Sequence, residues 1–301
     1  MNRHAASAPV DIDATLLRRW RLVDFDAAAD KEARGAILII AGSRELAGAA
    51  LLAAVGSLRA GAGKLVVATA GSVAPGLALA LPEARVVALP ETRAGGLTAA
   101  GLDRIEPLVE QADALLVGPG LADERATRGF VKALLARSAA VPLVLDALAI
   151  GAASSLSGFD RTALLTPHAG EMAHLTGLSK SLIVADPRRH AQRLARQLNV
   201  VVALKGACTV IAAPDGRCWR HAKAVPGLAT SGSGDVLAGI VAGLMARGAD
   251  PAQAAAWAVW VHSRAAVALA RRLGPLGYLA RELAAEVPGL LRGLAPTGPR
   301  R

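Results

Sequence analysis

Residues 36–69 contain Ala36-Ile-Leu-Ile-Ile-Ala41, then the small-residue stretch 47–60, then Leu65-Val-Val-Ala-Thr69. An uninterrupted apolar run of five or six residues marks a strand buried on both faces, and a helix-length segment between two such runs marks a β-α-β unit with parallel strands. The alternation continues. Residues 85–88, 114–117, 142–146, 163–166 and 200–204 read as further strands, and 98–111, 123–137 and 187–198 as helices. The expected fold is α/β in three layers, a mostly parallel central sheet covered by helices on both faces.

Residues 208–213 and 217–221 flank Pro214-Asp215-Gly216, a tight-turn signal that predicts a hairpin at the later edge of the sheet. Helical segments 234–247, 251–272 and 277–287 follow without another strand. No internal repeat or low-complexity linker divides the chain, so one domain is expected over residues 1–301. Residues 1–34 read as a peripheral N-terminal extension and about 289–301 as a C-terminal tail.

Composition narrows the function. The hydrophobic fraction of 53% supports a large core. The net charge of +10, with 28 Arg against 6 Lys, raises nucleic-acid binding, but the basic residues are scattered and aromatic residues make up only 3%. Without a basic run or stacking platforms, nucleic acid is excluded as a partner and small anionic ligands fit better. The charge-free stretch 65–82 is interrupted by Gly71, Ser72, Pro75 and Gly76, which excludes a membrane span. Cys208 and Cys218 have no metal or CxxC spacing and read as reduced apolar residues, and no protein metal site is expected. Residues 1–10 lack an apolar signal core, and Asp11 and Asp13 follow, so the expected location is cytoplasmic.

Chemistry concentrates in Pro226-Gly-Leu-Ala-Thr-Ser-Gly-Ser-Gly-Asp235-Val-Leu-Ala-Gly-Ile240, a Gly/Ser loop running into an apolar helix. The first N–H groups of a helix lack internal partners and lie at the positive end of its dipole, so Gly232, Ser233 and Gly234 form a candidate anion hole. A carboxylate beside bound phosphate is repulsive unless it has a task, and taking a proton from a hydroxyl nucleophile is one. The plainer reading of Asp235 is a helix-end stabiliser worth roughly 0.3–1 kcal/mol. No Walker loop is present, and Gly61-Ala-Gly-Lys64 lacks the required strand-to-helix setting.

Other strand ends carry Lys205-Gly-Ala-Cys-Thr209, Thr166-Pro-His168-Ala-Gly-Glu171, Gly118-Pro-Gly120 and Asp146. Three of these have a structural alternative: Thr166 as a helix cap with Pro167 opening the helix, Gly118-Pro-Gly120 and Asp146 as turn residues. Their coincidence at the edge where open α/β sheets bind ligands favours one site.

Together with Gly42-Ser43, Gly48-Ala49-Ala50 and Arg59-Ala-Gly-Ala-Gly63, these segments closely resemble the NAD(P)H-hydrate dehydratase family over about residues 36–288. The resemblance implies a ribokinase-like fold and ADP- or ATP-dependent dehydration of hydrated NADH and NADPH, with phosphorylation of the C6 hydroxyl preceding loss of phosphate. It makes Asp235 the base, Gly232, Ser233 and Gly234 the anion hole, and Lys205, Gly206, Ala207, Cys208 and Thr209, with Gly234, the nucleotide site. Ala49, Gly118, Gly120, His168 and Asp235 match positions contacting the hydrated nicotinamide nucleotide, with His168 as a hydrogen-bond donor. It further implies Mg2+ with the nucleotide, a homotetramer, and a separate epimerase as functional partner. The chain departs from the family at Leu148, where a second acidic residue is usual after Asp146, and at Ser231, Val225 and Leu46-Ala47. Leu148 weakens the expectation of a two-carboxylate site near Asp146. Two other readings stand beside this one: a small-molecule kinase of the same fold, and a non-catalytic nucleotide-binding regulator.

Overall fold

The computed structural model describes residues 8–24, 30–137, 141–155 and 158–294. Among these the strands are β1 (Val10–Asp11), β2 (Ala36–Ile40), β3 (Lys64–Ala70), β4 (Arg85–Leu89), β5 (Ala114–Val117), β6 (Leu143–Leu145), β7 (Ala163–Leu165), β8 (Val201–Leu204), β9 (Thr209–Ala212) and β10 (Cys218–His221). The helices are α1 (Ala14–Arg19), α2 (Ala47–Arg59), α3 (Ala74–Ala80), α4 (Leu102–Glu110), α5 (Glu124–Arg137), α6 (Ala169–Thr176), α7 (Lys180–Ala185), α8 (Pro187–Leu198), α9 (Ser233–Ala246), α10 (Pro251–Leu273) and α11 (Ala280–Leu294).

The strands form one sheet in the order β1-β10-β9-β8-β7-β6-β5-β2-β3-β4. From β8 to β4 all neighbours are parallel, and β9 runs antiparallel to both β8 and β10. Alternate side chains serve opposite faces, as the strand period of two requires. Ile37, Ile39, Leu116, Val144 and Leu164 join a core with residues of α2, α9, α10 and α11. Leu38, Ile40, Leu115, Val117, Leu143 and Leu145 join a second core with residues of α4, α5, α6 and α8. That two-sided burial is why the strands read as continuous apolar runs.

The order reverses between β2 and β5, since β2 connects onward to β3 on one side while β5 lies on the other. A crevice opens at such a switch point, at the carboxyl ends of the strands. The Gly42 N–H donates across it to the Pro119 carbonyl at 2.8 Å.

Helix α9 is buried along its whole length from Val236 to Ala246 and packs backbone to backbone on α2. A Cβ on Gly239 would lie 2.1 Å from the Ala53 carbonyl oxygen, and one on Gly243 would lie 2.6 Å from that of Ser57. These glycines are required by close approach. The contact fixes where α9 begins, and hence where Asp235 stands.

Several expectations are corrected. Residues 10–20 of the N-terminal extension are not peripheral: β1 pairs in parallel with β10, Leu17 is fully buried, and Trp20 stacks on Trp219 with ring centroids 5.1 Å apart. The β9–β10 hairpin therefore does not end the sheet, because β1 covers it. The tail expected from 289 continues α11 to Leu294, which is buried. That helix begins after Gly277, whose φ of +95° is incompatible with a helical start there. The charge-free stretch 65–82 resolves into β3 and the short α3, with Pro75 in its first turn. Among the described residues no helix is long and apolar enough to cross a membrane.

Candidate active site

The parallel strands deliver their carboxyl ends to one edge, and five candidate segments meet there. Gly118 follows β5 with φ of +136°, and a Cβ on it would lie 1.8 Å from the Asp146 carbonyl oxygen. Only glycine lets the ends of β5 and β6 approach so closely. Gly120 has φ of +66°, and its missing Cβ would fall 2.6 Å from that of Ala49 on α2, so these two predicted substrate residues sit against each other.

Asp146, only 2% exposed at the end of β6, accepts hydrogen bonds at Oδ1 from Thr166 Oγ1 at 2.6 Å and Lys205 Nζ at 2.9 Å. Lys205 Nζ also lies 3.9 Å from Glu171 Oε2. Burial disfavours the Lys205 charge, but Asp146, Glu171 and Asp235 together outweigh it and raise the ammonium pKa above its ordinary value. The lysine is a permanent cation here. Leu148 is exposed, and the carboxylates acting on Lys205 beside Asp146 are Glu171 and Asp235.

Thr166 is not the cap of α6. His168 is: its Nδ1 accepts from the N–H groups of Gly170 at 2.9 Å and Glu171 at 3.1 Å, while Glu171 Oε2 accepts from the His168 N–H at 2.7 Å. Two donors on Nδ1 require a lone pair there, which leaves Nε2 as the protonated nitrogen in the neutral ring. The Nε2–H of His168, 3.5 Å from Glu171 Oε1, is thus a donor.

Helix α9 starts at Ser233 behind Gly232, which has φ of +86°. Ser233 Oγ donates to the Leu228 carbonyl at 2.7 Å, tying the helix start to the preceding turn. Asp235 lies in the first turn. Its pKa is raised to about 6, first by burial, then by the Asp146 charge, with Lys205 opposing and Glu171 adding to the rise. A carboxyl poised near neutrality in the first turn of a helix suits a general base.

A cavity of about 630 Å³ opens beside this cluster. Lys205, Gly206, Ala207, Thr209, Ser233, Gly234 and His168 line it, as do Val225, Leu228, Leu237 and Val259. Cys208 is absent from that lining and packs against the second core instead, where burial raises its thiol pKa. Ala49, Gly118, Gly120, Gly232 and Asp235 also lie outside the cavity wall. Sequence reasoning missed His221, Lys223, His262 and Ser263, which line it from β10, the following loop and α10. Glu171 had been seen only as part of its motif.

The sheet order and the helix start at the carboxyl edge define a ribokinase-like fold. A ribokinase-like superfamily protein from Enterococcus faecalis V583 superposes with a TM-score of 0.81 at 26% identity, over 95% of this chain and 96% of that one. The family model for NAD(P)H-hydrate dehydratase matches residues 37–289. The ADP-dependent (S)-NAD(P)H-hydrate dehydratase of Xanthomonas campestris pv. campestris is 47% identical over 262 residues, covering 87% of this chain and 90% of that protein. The structure of ADP/ATP-dependent NAD(P)H-hydrate dehydratase from Bacillus subtilis, co-crystallised with ATP and Mg2+, superposes with a TM-score of 0.83 at 31% identity, over 97% of this chain and all of that one. The chain belongs to the NAD(P)H-hydrate dehydratase family. It spans about half the length of relatives described as bifunctional NAD(P)H-hydrate repair enzymes.

Proposed function

We propose that this protein is a hydro-lyase that dehydrates the hydrated forms of NADH and NADPH at the expense of ADP or ATP. The observation that carries the mechanism is Asp235, a carboxyl with pKa near 6 in the first turn of α9, between the Lys205 cluster and the helix start. Asp235 takes the proton of the C6 hydroxyl as that oxygen attacks the terminal phosphoryl group of the nucleotide. The N–H groups of Gly232, Ser233 and Gly234 hold the phosphoryl oxygens, and Lys205 supplies positive charge. The C6–O bond then breaks, phosphate leaves with its electron pair, and a proton lost from the neighbouring carbon restores the ring double bond. Phosphorylation turns a poor leaving group into a good one.

Ala49, Gly118, Gly120 and the His168 Nε2–H form the substrate side in this reading. Lys205, Gly206, Ala207, Thr209 and Gly234 form the nucleotide side, with Cys208 serving through its backbone. Among the described residues no group of three or more His, Cys, Asp or Glu is placed to hold a metal ion. Mg2+ would be carried on the nucleotide phosphates, with Glu171 and Asp146 the nearby carboxylates. The ion would neutralise phosphoryl charge during transfer. A cytoplasmic homotetramer working with a separate epimerase completes the proposal, and the bifunctional relatives support the pairing.

The test mixes protein, Mg2+ and ADP or ATP with NADH hydrate or NADPH hydrate, following dihydronicotinamide absorbance and phosphate. Equal recovery of both supports the proposal and names the preferred donor. Nucleotide binding without recovery in any combination would replace it with the small-molecule kinase.

A further inference from the structure

We infer that His221 selects adenine in the nucleotide donor, and that the N-terminal strand prepares it to do so by fixing its tautomer. The inference rests on the nucleotide-site reading above and deepens it. His221 ends β10, is 8% exposed, and lines the cavity that Lys205, Ser233 and Gly234 also line. Its Nδ1 lies 3.2 Å from the Ile12 carbonyl oxygen, just beyond β1. A carbonyl can only accept, so Nδ1 carries the proton. Burial, reinforced by the Lys223 and Arg264 charges against the Ile12 hydrogen bond, lowers the ring's pKa and keeps it neutral.

Nε2 is therefore a bare lone pair, and it is buried without a partner in the protein. A buried acceptor left unmatched is costly, and its position in a cavity wall assigns the missing donor to a ligand. The cavity divides chemically. Lys205 and the α9 start suit phosphates, whereas Val225, Leu228, Leu237 and Val259 form an apolar lining suited to a flat base. Adenine offers an exocyclic N–H to His221 Nε2. Guanine presents a carbonyl oxygen at the same ring position, lone pair against lone pair. Ser263 Oγ is also buried without a partner in this wall, leaving a hydroxyl donor for a ring nitrogen.

The experiment is a cycle between protein and ligand, measured by calorimetric titration with ADP, GDP and purine riboside diphosphate, which lacks the exocyclic amine. The wild-type protein should bind ADP at least about 10-fold more tightly than either analogue, one hydrogen bond's worth of discrimination. His221→Phe should bind ADP and the purine analogue within about twofold of each other. ADP binding with equal affinity for the analogues, or discrimination unchanged in His221→Phe, overturns the inference and leaves the nucleotide site standing. No ADP binding to wild type overturns both. Nitrogen NMR of the wild-type histidines needs no variant: the unprotonated Nε2 resonance of His221 should shift with ADP and not with the purine analogue, and equal responses reject the role.

Discussion

Asp235 carries two consequences of one shifted pKa. As the proposed base it must be ionised, so kcat/KM should rise with pH through about 6. Asp235→Asn should bind nucleotide normally but turn over at least about 100-fold more slowly, the lower range for acid-base catalysis; near-normal turnover would remove the base role. The carboxyl also costs stability. Its pKa is about 6 in the folded chain against 3.8 for the ordinary group, so the unfolded chain releases this proton first. Stability then falls as pH rises from about 4 to 6, by on the order of 1–3 kcal/mol after solvent screening, and stays reduced above. Asp235→Asn should therefore melt higher than wild type at pH 7, with the gain vanishing below about pH 4. Asp146→Asn tests the second cause of the shift. Removing that charge frees Lys205 for Asp235 and should move the acidic limb of kcat/KM to lower pH; an unmoved limb would show that burial alone sets it.

At the scale of elements, the α2–α9 contact places Asp235. Gly239→Ala would put a methyl where the Ala53 carbonyl oxygen now lies 2.1 Å from the ideal Cβ position, so the helices must separate. We expect a loss of about 2 kcal/mol or more in denaturant unfolding, together with reduced turnover because Asp235 moves with its helix. A loss under about 0.5 kcal/mol would show that the helices yield freely. The sequence made this helix legible as Gly-rich and apolar, but not the partner that required its glycines. The strands were legible because burial on both faces writes itself as an unbroken apolar run. The cap of α6 was not: Thr166 is the commoner capping residue type, and its hydroxyl goes instead to Asp146, leaving the role to His168. Glu171 lay in plain view within its motif, yet its approach to Lys205 depends on β7 and β8 being neighbours. The cavity wall from β10 and α10 was similarly hidden, since no local pattern connects His221 with His262.

For the whole molecule, the order of the parallel strands could not be read from alternation alone, and the switch between β2 and β5 that opens the crevice is a property of the assembled sheet. The N-terminal segment shows the same limit from the other side. A two-residue strand carries almost no periodicity, so β1 exists only through its pairing with β10. Its contacts are nevertheless extensive. Ile12 and Leu17 are buried, the Trp257 indole and the Gln253 amide donate to the Trp20 carbonyl at 2.7 and 3.2 Å, and Arg220 pairs with Asp11. Burial of Ile12 and Leu17 alone is worth about 1.5–3 kcal/mol each. Removing residues 1–24 would forfeit that burial, uncover the Trp219 ring and return β10 to the sheet edge. We expect a fall in Tm of roughly 10 °C, given about 2–4 °C per kcal/mol for large domains, and greater aggregation through the exposed strand. A truncated protein melting within about 2 °C of the full chain would restore the peripheral reading of this segment. A large fall would make residues 10–24 part of the fold that carries the cavity.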